Sequence, residues 1–112
     1  MSGDFVVEGD DRHLCVKLPR EIRFSSQRRL RKLILDSYQD HEIVIDCSKL
    51  QRMPIWFVGM LLHLEERGVA SASTLTLTHC NRAVIELLLV ADAARFVRDV
   101  ARAEPILAEM TQ

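Results

Sequence analysis

Cys47 and His79 each stand at the end of a β-branched apolar run. If those runs are neighbouring strands, the pair has the makings of a nucleophile and its base, which must lie within hydrogen-bond reach of each other. A buried cysteine also serves as a small apolar residue, a reading that asks for no partner. Cys80 beside His79 raises zinc as a further chemistry. However, adjacent strand residues point to opposite faces and a fourth ligand is missing, so no metal is expected. His13, His41 and His63 stand apart from other ligand types and read as surface or cap residues. Gly3, Gly9, Gly59 and Gly68 are too widely spaced for a dinucleotide fingerprint or a P-loop, so no nucleotide cofactor is expected by those routes.

Two other stretches point to binding rather than reaction. Arg20, Arg23, Arg28, Arg29, Arg31 and Lys32 fall within thirteen positions that hold one acid, Glu21. The cluster is either a dock for an acidic partner or the solvated face of a helix. The second stretch is Met53-Pro54-Ile55-Trp56-Phe57-Val58-Gly59-Met60. If Val58, Leu61, Leu62 and the stem of Glu65 face a sheet, helical spacing sends Ile55, Trp56, Gly59, Met60 and His63 to the opposite side. Trp56 is then either part of a partner surface or an aromatic packed under the next loop.

The elements that hold these residues follow from periodicity. Phe5-Val6-Val7-Glu8 and Leu14-Cys15-Val16-Lys17-Leu18, separated by Gly9-Asp10-Asp11, predict a hairpin. Leu30, Leu33, Ile34 and Tyr38 repeat at helical spacing after Ser25 or Ser26, either of which is a candidate cap. Ile43-Val44-Ile45-Asp46-Cys47 reads as a central strand covered on both faces. Pro54 belongs in the first turn of a helix that runs to Gly68. Thr74-Leu75-Thr76-Leu77-Thr78 alternates as a strand, and Asn81 caps a helix bearing Val84, Leu87, Leu88 and Ala91. Residues 96–100 suit a short strand or a helix continuation, and residues 105–110 a last helix opened by Pro105. The pattern is an α/β fold whose later strands run parallel, which places any site beyond their carboxyl ends at segments 47–56 and 79–82.

At 112 residues, 48% hydrophobic and 28% charged, the chain reads as one packed domain over 1–112. A net charge of -1 argues against a protein that neutralises nucleic-acid phosphates. No secretory signal or membrane-length apolar run is visible, and the three widely spaced cysteines suit reduced thiols, so the expected compartment is the cytoplasm.

Ile43-Val44-Ile45-Asp46-Cys47-Ser48-Lys49-Leu50, leading into a helix that closes on Arg67-Gly68, resembles the STAS domain family of anti-sigma-factor antagonists and their relatives. Residues 14–24 resemble the family's second strand, and residues 96–100 its Phe-Arg-Val-like tail. The resemblance implies a small mixed sheet of four to five strands with about four helices, and a non-enzymatic role in bacterial signal transduction and transcription regulation. The implied partner is an anti-sigma factor, an ATPase-fold regulator or a larger assembly. It would be bound through Pro54, Ile55, Trp56, Gly59, Met60 and His63, with self-association through the same patch as a variant. Counting from Asp46, the family's phosphorylatable Asp-Ser pair falls on Pro54 and Ile55, so the switch looks deleted and Ser48 is the one local substitute hydroxyl. The alternatives are an accessory subunit, or a small-ligand or lipid-handling STAS protein, of a transporter or signalling assembly. A thiol enzyme is the more distant reading.

Overall fold

The computed structural model describes residues 4–98 and 103–110. Strands β1 (Val6–Gly9) and β2 (His13–Lys17) come first, followed by helix α1 (Gln27–Ser37), strand β3 (Glu42–Asp46), helix α2 (Ile55–Glu66), strand β4 (Leu75–Thr78) and helices α3 (Arg82–Val90) and α4 (Ala103–Met110). The strands form a four-stranded mixed sheet in the order β1-β2-β3-β4. The hairpin is antiparallel, with Val7 opposite Val16. The two later pairings are parallel, with Val16 beside Ile45 and Ile45 beside Leu77.

The hairpin turn closes because Asp10 Oδ1 accepts the Arg12 and His13 N–H groups, both at 2.8 Å. Gly9 is needed there, since a Cβ would come within 2.4 Å of the His13 carbonyl oxygen. Gly68 ends α2 in the left-handed region at φ +77°, with its N–H donating to the Glu65 carbonyl at 3.0 Å.

Burial alternates along the strands. Val16, Ile43, Ile45, Leu75 and Leu77 join the helices' apolar residues in one core, whereas Cys15, Val44 and Thr76 on the other face are half-buried. β3 is therefore central but not enclosed on both sides as its apolar run implied. The reason is topological: parallel crossovers are right-handed, and successive steps in one direction, β2 to β3 and β3 to β4, stack their helices on one face of the sheet.

The start of α1 also differs from expectation. Phe24–Ser26 forms a 3-10 turn that runs straight into the helix, and Ser26 already has helical backbone angles, φ -85° and ψ -10°. A capping hydroxyl needs extended backbone, so Ser26 caps nothing and donates instead to Asp4 Oδ1 at 3.4 Å. Arg29 pairs with Asp4 and lies over the Phe5 ring, which ties the lead into β1 to α1. Pro54 sits one place earlier than expected, as the extended N-cap of α2.

Beyond α3, Phe96 ends a short 3-10 turn fully buried, and Val97 forms a parallel bridge with Leu77. This supports the strand reading as far as Val97, whereas Asp99 and Val100 lie outside the described residues. Helix α4 starts at Ala103, two residues before Pro105, and is held on α3 by the pairing of Arg82 with Glu109. None of the helices, among the described residues, is long and apolar enough to cross a membrane.

Candidate interaction site

The carboxyl ends of the parallel strands open into three loops, at 18–26, 47–54 and 79–81, and hydrogen bonds stitch these loops together. The Leu18 N–H donates to the Asp46 carbonyl at 3.0 Å, the Cys47 N–H to Thr78 at 2.9 Å, and the Gln51 N–H to Arg20 at 3.0 Å. Asn81 completes the set. Its Oδ1 accepts the Val84 N–H at 2.9 Å, which is the expected cap of α3, while Nδ2 reaches the Leu50 and Gln51 carbonyls, each at 3.1 Å. With Leu50 and Met53 buried beneath it, the 47–54 loop is fixed from below and from both sides.

This anchoring delivers an apolar surface at the start of α2. Ile55 is 79% exposed and Phe24 58% exposed. Between them Trp56 is half-buried. It meets Phe24 edge-to-face with centroids 5.7 Å apart, and its other side leans on the buried Phe57 at 5.8 Å. The two readings of Trp56 therefore both hold in part, because one flank packs on the core and the other belongs to the surface. Pro54 is half-buried beside it, and Ile55, Gly59 and His63 form an exposed stripe at intervals of four. A Cβ at Gly59 would meet nothing within 4 Å, so this turn is open to solvent.

Met60 does not belong to this surface. It is buried, because α2 turns Phe57, Met60 and Leu64 inward together with the expected Val58 and Leu61, whereas Leu62 and Glu65 are only half-buried. The buried face is therefore broader than the expected stripe and extends to the Phe57 and Met60 side. The large Phe57 ring takes the core position, and Leu62 is left half-buried. Phe24, in turn, has no signal of its own in the sequence. It lies in a polar segment and joins the site only through Trp56.

The candidate thiol chemistry is separated by the fold. Cys47 is 1% exposed, its Sγ lies 3.8 Å from the Ile45 carbonyl, and contact with the Cys80 thiol together with burial drives its pKa far above the ordinary thiol range. His79 points to solvent and sits 3.5 Å from Asp46 Oδ1, with its backbone in the left-handed region at φ 57°. The imidazole is thus paired with a carboxylate. Among the described residues no trio of His, Cys, Asp or Glu is arranged to hold a metal. Ser48 is exposed at the end of β3, its N–H bonded to Asp46 Oδ1 at 2.9 Å.

The basic cluster divides. Arg29 is engaged by Asp4, and Lys32 by Asp36 at 2.9 Å, whereas Arg20 and Arg23 line an open cleft of about 900 Å³ together with Lys17, Lys49 and Glu21.

A hairpin followed by parallel strands with their helices, and a platform of stitched loops at the strand ends, define the α/β class of STAS domains. The chain belongs to the Mlab STAS domain family, whose pattern matches residues 5–99. No curated protein sequence matches it.

Proposed function

We propose that this STAS domain is a non-enzymatic interaction module, acting in a bacterial cytoplasm as anti-sigma-factor antagonists do. It docks an anti-sigma factor or ATPase-fold regulator through the start of α2. The supporting observation is the exposed apolar group Phe24, Ile55 and Trp56 on a platform held rigid by its loops. Hot spots favour tryptophan among apolar neighbours. In relatives of this type, phosphorylation of a serine at the helix start adds roughly -1.5 to -2 charges to the docking surface. Ile55 occupies that place here and accepts no phosphate, so docking is constitutive unless Ser48 takes over.

That same residue favours a second reading, a permanent accessory subunit of a transporter or signalling assembly, because a surface without a switch suits a partner that stays bound. Affinity capture from the native host, using wild type and Ile55→Asp as paired baits, tests the site, and the identity of the captured protein separates the two roles. The docking surface requires capture to fail with Ile55→Asp while the melting temperature is unchanged. Equal capture by both baits rejects it.

A further inference from the structure

We propose that the basic cleft beside the Trp56 patch receives carboxylates from the docked protein, so that the partner presents an acidic segment next to its apolar anchor. This deepens the proposed docking function and rests on it. The cleft lining adjoins the patch along the chain and through the loops. Arg23 immediately precedes Phe24, and the Arg20 carbonyl accepts the Gln51 N–H at 3.0 Å, which fixes the cleft wall to the loop that leads into α2. Charge gives the direction. Lys17 is balanced by Glu8 at 3.2 Å and Asp4 is engaged by Arg29, so the remaining ionic groups of the lining are Arg20, Arg23 and Lys49 against the single acid Glu21. Among the described residues, no carboxylate lies within ion-pairing distance of Arg20, Arg23 or Lys49, and all three side chains are exposed. The protein as a whole carries a net charge of -1, so this is a local concentration of positive charge and not a general basicity. Guanidinium groups in such a setting favour planar, bidentate carboxylates. Electrostatic complementarity of this kind sets partner choice and association rate more than total affinity.

The probes are a fluorescein-labelled amphipathic peptide with leucine and phenylalanine on one face and glutamate on the other, and a twin with glutamine in place of glutamate. Binding to the purified full chain is followed by fluorescence anisotropy at low and high salt. The glutamate peptide should bind at least tenfold more tightly than its twin at low salt. That preference should vanish at high salt and in the triple variant Arg20→Gln, Arg23→Gln, Lys49→Gln, whose circular dichroism should match wild type. Ile55→Asp should weaken both peptides alike. Equal binding of the twins, binding of neither, or a preference that survives the triple variant overturns the acidic-partner proposal. If both twins bind equally and both are lost with Ile55→Asp, the docking surface itself still stands. Vesicles rich in phosphatidylglycerol serve as the control. Binding to vesicles that depends on Arg20, Arg23 and Lys49, without any peptide preference, would assign the cleft to a lipid surface and also overturn the proposal.

Discussion

Asn81 Nδ2 lies 3.1 Å from the Gln51 carbonyl oxygen, so one side chain from the loop after β4 holds the loop that leads into α2. Its Oδ1 meanwhile caps α3, and a single residue thereby connects the helix on one side of the site to the platform of the other.

Removing that residue should loosen the site as well as the fold. Asn81→Ala should cost about 1–2 kcal/mol through the lost cap, with a further loss from the two loop bonds. Asn81→Asp keeps the capping oxygen but lacks the donor and should fall between. Urea denaturation of the three proteins gives the ranking.

For Trp56, the half-buried position predicts a mixed outcome. Trp56→Ala should weaken partner binding or self-association by about 2 kcal/mol or more. It should also lower stability, by less than the roughly 3–5 kcal/mol expected for a fully enclosed aromatic. Thermal melting and analytical ultracentrifugation, with binding to the captured partner, measure the two effects. A full core-sized loss with association unchanged would remove Trp56 from the interface.

How far could the site be read before the fold was known? The strand 42–46, the Asn81 cap and the Gly68 stop were legible, because each depends on local chemistry: β-branched residues, a short acceptor side chain and a residue tolerant of positive φ. Helix α2 was legible as a helix, and Val58 and Leu61 as inward-facing, but not the full breadth of its buried face. Ile55, Trp56, Phe57, Val58, Met60, Leu61 and Leu62 surround its axis with apolar groups, so periodicity could not choose which stripe faces inward, and Met60 was placed outside. The Phe24–Trp56 contact was illegible for a different reason, since it joins positions more than thirty residues apart and depends on a 3-10 turn that no local signal marks.

Cys47 should resist native alkylation at neutral pH, because its neighbours and burial favour the protonated thiol. Linkage gives the sign. The native state keeps this proton while the unfolded chain releases it above an ordinary value of about 8.5, so the contribution is whole below that pH and stability falls as pH rises beyond it. Cys47→Ala should flatten the alkaline limb and cost up to about a few kcal/mol. Fast labelling of native Cys47 would instead signal a reactive thiolate.

Co-expression with a STAS-directed serine kinase should leave the start of α2 unmodified, as Pro54 and Ile55 offer no hydroxyl. Intact-mass and peptide mass spectrometry check this. A phosphate on Ser48, which is exposed, would restore the switch at a neighbouring position and contradict constitutive docking.

The order of the sheet, β1-β2-β3-β4, is also the order of the chain, and this bears on how the molecule assembles. Each strand after the first finds its neighbour in the sheet already synthesised, although the parallel pairs join residues about thirty positions apart. The hairpin is complete first. The surface around Ile55 and Trp56 exists in outline once α2 has formed, but its supporting loop is secured only when Asn81 arrives. A chain interrupted before that residue would display the apolar group on an unsecured platform, and on the proposed function competence to dock is therefore a late acquisition of the growing polypeptide.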